Sequence, residues 1–111
     1  MTVTECDSVS VVQFAERKIL EELSIAEIGE ELYAIVDGKP GIRILLSFGG
    51  VEHLSSAALG VLITLNKKVS DLNGTLKLSD ITPPIFEVFK ITSLNKLFDI
   101  YDTREAALSA F

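Results

Sequence analysis

Short apolar runs alternate along this chain with longer segments in which apolar residues recur every three or four positions. The first kind suits β-strands and the second suits amphipathic helices. Ser8 to Phe14, rich in valine, predicts a first strand. The polar stretch Ala15-Glu-Arg-Lys then turns the chain. Ile25, Ile28, Leu32, Ile35 and Val36 recur at helical spacing, with Glu27, Glu30 and Glu31 on the other face, and predict a first helix. Asp37-Gly-Lys-Pro-Gly stops it, because glycine and proline break helices and favour turns. Ile42 to Phe48 is apolar enough for a central strand buried on both faces. Gly49-Gly50 ends that strand and lets the backbone bend sharply.

The segment from Val51 to Val69 predicts a second helix with its own start signal. A serine just ahead of a helical pattern can accept an unpaired backbone N–H of the first turn. Ser55 is the better-placed cap, and Ser56 opens the helix. Leu59, Leu62, Ile63, Val69 and Leu72 mark the buried face, with Asn66 on the same stripe, while Lys67, Lys68, Ser70 and Asp71 are solvated. Asn73-Gly74 closes the helix. Thr75 to Ser79 alternates Leu76 and Leu78 with Lys77, which predicts a strand with one wetter face or an edge position. Asp80-Ile-Thr-Pro-Pro leads into a third helix from about Pro84 to Ile91. Phe98 to Tyr101 reads as a fourth strand, and Asp102-Thr103 caps a last helix running towards Phe111 through Ala106, Ala107, Leu108 and Ala110. Phe86, Phe89 and Phe98 read as core. The alternation of the two kinds of segment reads as α/β.

At 111 residues the chain is one domain's worth, with residues 1–7 read as a flexible tail. Its 48% hydrophobic content is enough for a packed core without disulfides or metal. The net charge of −6, from 10 basic and 16 acidic residues, argues against nucleic acid and anionic lipid as partners. The lone Cys6 reads as a thiol in the tail rather than a redox sensor, since no activating group is near it in sequence. The polar, acidic start lacks the basic residues and apolar run of a signal peptide, and charges interrupt every apolar stretch short of a membrane span. The cytoplasm is the expected compartment.

Converging catalytic groups are not apparent. His53 is the single histidine and reads as a solvated loop residue, with a phospho-acceptor role or a place in a partner interface beside Ser56 as its functional alternatives. No Cys/His spacing suits zinc, and no glycine-rich run matches a P-loop or a dinucleotide fingerprint. Neither cofactor nor metal is expected, and no enzymatic activity.

Ser55-Ser-Ala-Ala-Leu-Gly resembles the STAS domains of bacterial anti-anti-sigma factors. In that family a strand ends in a bend, and a motif of the type Asp-Ser-[Ser/Thr]-Gly-[Leu/Ile]-Gly opens the next helix. Placing Leu59-Gly60 on its Leu-Gly puts Ser56 on the phosphorylated serine, Ser55 on the usual Asp, Ala57 on the second hydroxyl position and Ala58 on the usual Gly. Downstream, Asn73-Gly-Thr-Leu-Lys-Leu-Ser, the segment from Ile81 to Phe98, and Asp102-Thr-Arg-Glu-Ala-Ala-Leu resemble the family's later elements in the same order. The family's Gly-x-[Leu/Ile]-[Asp] stretch after strand one is replaced by Ala15-Glu-Arg-Lys.

The resemblance implies a STAS-like α/β single domain with about four strands in a mixed sheet and four to five α-helices. It also implies an anti-sigma factor antagonist that binds an anti-sigma factor acting as a serine kinase, with ATP bound by that partner. Phosphorylation of Ser56, with Ser55 as second choice, releases the complex, and a serine phosphatase resets it. The partner surface implied is His53, Leu54, Ser55, Ser56, Ala57, Ala58 and Gly60. A STAS module of another assembly, such as a stress-signalling complex or a transport-associated subunit, is the alternative. A small-molecule or nucleotide-binding α/β domain using the Gly49-Gly50 bend is a further one.

Overall fold

The computed structural model describes residues 2–6, 8–14, 18–19, 22–51 and 53–111. The chain order is β1 (Thr2–Cys6), β2 (Val9–Gln13), β3 (Lys18–Ile19), α1 (Glu22–Val36), β4 (Arg43–Ser47), β5 (His53–Leu54), α2 (Ser56–Asp71), β6 (Thr75–Ser79), α3 (Pro83–Ile91), a 3-10 turn at Leu94–Lys96, β7 (Asp99–Tyr101) and α4 (Arg104–Ser109). The turn expected at Ala15-Glu-Arg lies outside the described residues.

The main sheet runs β1-β2-β4-β6-β7. Strands β2, β4, β6 and β7 are parallel, with Leu46 opposite both Val12 and Leu78. A parallel pair needs a crossover, and in one sheet that crossover is right-handed. Each new strand is added on the same side of the last, so α1, α2 and α3 all fall on one face. Their apolar stripes bury Ile25, Ile28, Leu32, Leu59, Leu62, Leu65, Val69, Ile85 and Phe89 against Val12, Phe14, Ile44, Leu46, Phe48, Leu76 and Leu78. The opposite face packs Val9, Val11 and Leu45 against Ala107 of α4.

Several sequence expectations change here. Residues 1–7, read as a tail, include β1, which pairs antiparallel with β2 from Thr2 opposite Gln13 to Cys6 opposite Val9. Thr2 to Glu5 are exposed, so no apolar alternation announces the strand. Lys18, read as part of a turn, belongs to β3, which pairs in parallel with β5 and so gives His53 and Leu54 a strand partner. Ile63 and Phe86, which the sequence pattern assigns to the core, are 42% and 38% exposed. On α2 the buried stripe is Ala58, Leu59, Leu62, Leu65 and Val69, one helical turn after another, and Ile63 lies off it. Gly74, after left-handed Asn73, leaves no room for a side chain, because a Cβ there would run into the Ile42 carbonyl oxygen.

Lys77 departs furthest from expectation. Its strand is interior, between β4 and β7, and its side chain is only 8% exposed. The ammonium donates to the Asp99 carboxylate at 3.2 Å and the Tyr101 hydroxyl at 3.4 Å, and lies over the Tyr101 and Phe111 rings. Burial pulls its pKa down, but the Asp99 and Tyr101 hydrogen bonds, with the charge of those groups, outweigh burial and hold it above the ordinary lysine value of 10.5.

Two measurements follow from this packing. Leu65→Ala is expected to cost about 2–5 kcal/mol in urea unfolding, and Ile63→Ala to stay within about 0.5 kcal/mol. Equal losses would place both side chains in the core. A pKa raised by folding gives stability that is complete below the unfolded value and is lost as pH rises through the folded one. The urea midpoint should therefore fall further for the wild type than for Lys77→Met between about pH 9 and pH 11.5, and parallel curves would show that the charge contributes nothing.

Candidate functional site

The site begins where β4 runs out. The Phe48 N–H donates to the Ser79 carbonyl oxygen at 3.0 Å, and the Val51 N–H folds back to the Phe48 carbonyl at 2.9 Å. Gly50 takes a φ of 87°, a conformation that favours glycine. The chain then passes through β5 and enters α2.

Ser55 is the N-cap, extended at φ −83° and ψ 167°. Its Oγ accepts the Ala58 N–H at 3.2 Å, and its carbonyl accepts the Leu59 N–H at 3.1 Å. One hydroxyl is thereby committed to holding the helix start. Ser56, the first residue of α2, is exposed. No acidic residue lies in the first turn, so the partial positive charge of the helix N-terminus faces Ser56 without a carboxylate of that turn beside it.

The residues singled out in the sequence lie together on β5 and the start of α2. His53, Ser56, Ala57 and Gly60 are exposed, and Leu54 and Ser55 are half-buried. A Cβ at Gly60 would meet nothing within 4 Å, so the surface beside Ser56 is open. Ala58 does not belong to that surface. It is 5% exposed and turned inward, because it sits on the buried stripe with Leu62 and Leu65. Below it lies an apolar cavity of about 20 Å³, lined among the described residues by Phe14, Ile25, Ile28, Leu32, Phe48, Leu54, Ala58, Val61 and Leu62. That is far below the roughly 300–1,000 Å³ of ordinary ligand pockets.

Sequence reasoning missed a polar network at the same end of the sheet. The hydroxyls of Ser47 and Ser79, on adjacent strands and both buried, donate to one oxygen of Asp80, Oδ2, at 3.2 and 2.9 Å. Thr82 Oγ1 donates to the Val51 carbonyl at 2.9 Å. The trace in the sequence is a serine closing each of the two strands β4 and β6. Removing the shared acceptor would leave two buried hydroxyls unpaired, at about 1–3 kcal/mol each.

Residues 3–107 match the family model described as STAS domain. The chain belongs to the STAS domain family. A Bordetella bronchiseptica protein, BtrV, which carries the name of an anti-sigma factor antagonist, is 32% identical over 93 residues, or 84% of this chain and 79% of that protein. The anti-sigma F factor antagonist of Paenibacillus polymyxa is 29% identical over 67 residues, 60% of this chain and 57% of its own. The solved structure of an anti-sigma-factor antagonist (STAS) domain protein from Planctomyces limnophilus superposes with a TM-score of 0.87 at 26% identity, covering 98% of this chain and 94% of that one. The STAS fold and family read from the Ser55–Gly60 motif are those found. Among the described residues of this STAS chain, no helix is long and apolar enough to cross a membrane.

The division between the two serines is measurable. Ser55→Ala removes the capping acceptor and should cost about 1 kcal/mol, within a range of about 0.5–2. Ser56→Ala should stay within about 0.5 kcal/mol of wild type in the same urea titration. The reverse order would make Ser56 the cap.

Proposed function

We propose that this chain is an anti-sigma factor antagonist whose partner is an anti-sigma factor with serine kinase activity, and that phosphorylation of Ser56 turns binding off. One observation carries this reading above the rest: Ser55 is spent on the cap, while Ser56 is exposed at the positive end of α2, beside Ala57 and Gly60. The names borne by the relatives in Bordetella and Paenibacillus point the same way.

In the unphosphorylated state the partner settles on the open surface around His53, Ser56, Ala57 and Gly60, and the sigma factor it held is free. The partner supplies ATP. Ser56 Oγ attacks the γ-phosphorus, loses its proton, and ADP leaves with the electrons of the broken P–O bond. The product carries close to two negative charges and strong acceptors. A phosphate is welcome at a helix N-terminus, so α2 stays folded. The contact surface is what changes. A desolvated or repelled charge in an interface costs about 2–5 kcal/mol, enough to dissolve a micromolar complex. A serine phosphatase removes the group and restores binding. The chain is ligand and substrate in this cycle, not an enzyme, and the cycle takes place in the cytoplasm.

Wild type, Ser56→Ala and Ser56→Asp chains used as baits in lysate of the source organism test this. Wild type and Ser56→Ala are expected to retain an ATP-dependent kinase that Ser56→Asp loses by at least about tenfold, a difference of about 1.4 kcal/mol. Phosphate should be found on Ser56 of the wild type after incubation with ATP. Capture of the same kinase by all three baits, or phosphate confined to other residues, would sink the switch. In that case a STAS module of another assembly is the better description.

A further inference from the structure

We propose that Asp80 is a positioning residue for the segment that presents Ser56, clamping it from the neighbouring strand. The partner-facing role of that segment rests on the function proposed above, whereas the clamp itself rests on geometry alone. Asp80 directly follows β6, and its backbone is left-handed at φ 57°, a region few residues other than glycine, asparagine and aspartate enter readily. That turn brings its carboxylate back over the ends of both β4 and β6. A single oxygen accepts the Ser47 and Ser79 hydroxyls, and charge on the acceptor strengthens both bonds.

The bend after β4 is therefore held at successive points. Ser47 is tied to Asp80, Phe48 to the Ser79 backbone, and Val51 to the Thr82 hydroxyl. Gly49 faces the same carboxylate cluster, since a Cβ added there would lie 3.8 Å from both the Asp80 Cβ and the Ser47 Oγ. All of these ties come from residues 79–82, and they end four residues before the Ser55 cap. Asp80 is thus placed to fix where Ser55 and Ser56 emerge from the sheet. A loosened bend samples positions a partner cannot use, and apparent affinity then falls with the competent fraction. The rate of transfer after binding does not fall in the same way.

Two substitutions separate backbone from carboxylate. Asp80→Asn keeps both the left-handed preference and an oxygen acceptor, whereas Asp80→Gly keeps only the backbone freedom. In the full chain, amide hydrogen exchange over residues 48–55 is expected to rise at least about tenfold in Asp80→Gly and to stay near wild type in Asp80→Asn, with α1 unchanged in both. With the kinase captured by the wild-type bait, Asp80→Gly should raise KM about tenfold with kcat within about twofold, and Asp80→Asn should restore KM.

Unchanged exchange over 48–55 in Asp80→Gly, or a rise spread evenly over the sheet, would overturn the clamp. Localised loosening with an unchanged KM would overturn its role towards the partner. If no kinase acts on Ser56 of the wild type, the switch reading fails, and the exchange result still decides the clamp. Should Asp80→Gly not fold, Ser47→Ala removes the tie from β4 to the Asp80 carboxylate and is expected to loosen the same segment. No loosening in Ser47→Ala would then overturn the clamp.

Discussion

Parallel pairing of β2, β4, β6 and β7 is the constraint on which the rest of this molecule depends. Strands of this kind cannot be joined by hairpins, so every connection must cross a face of the sheet. Because the chain steps across the sheet in one direction, the crossovers α1, α2 and α3 share a face and build the larger core there. The same rule gathers the carboxyl ends of all four strands at one end of the domain. The Gly49-Gly50 bend, the Ser55 cap, Asp80 and Thr82 meet there even though they are distant in sequence. Ligands and partners of parallel sheets commonly bind beyond the carboxyl ends of the strands, where the loops are.

At that end two adjacent serines have been given different work by one helix terminus. The Ser55 oxygen takes the Ala58 N–H, which fixes the first turn and turns Ala58 and Leu59 into the core. Ser56 then falls on the outer side of that turn, in the field of the aligned peptide dipoles. Under the proposed switch, a charge added to Ser56 would suit the helix N-terminus and oppose an approaching surface. Modification would then act on association while leaving the fold alone.

The second face of the sheet is economical by comparison. Only the short α4 covers it among the described residues, over Val9, Val11 and Leu45. Lys77 shares the pleat of that face, because it alternates with the inward Leu76 and Leu78. Its ammonium escapes full burial cost by reaching Asp99, whose side chain is 65% exposed, and by lying over Tyr101 and Phe111. Phe111 is thus part of the solution to a charged residue in an interior strand.

What the sequence determined by itself was local. The apolar spacing of Ile25, Ile28, Leu32 and Val36 announced α1, the apolar run from Ile42 to Phe48 announced β4, and the alternation of Leu76 and Leu78 with Lys77 announced β6. Ser55 announced the start of α2, because capping involves only residues within one helical turn. The Ser55–Gly60 motif carried the family as well. Tertiary structure decided what needed partners far along the chain. β1 is a strand because β2 pairs with it, although its own side chains are exposed and carry no period. Lys77 is interior because β7 and Phe111 close over it, and Ile63 and Phe86 are exposed because they lie off the buried stripes of α2 and α3. The tie from Ser47 to Asp80 spans 33 residues, and no local pattern could signal it. Periodicity and capping are set by bonds within a few residues, whereas burial and long-range hydrogen bonds depend on which segments the sheet brings side by side.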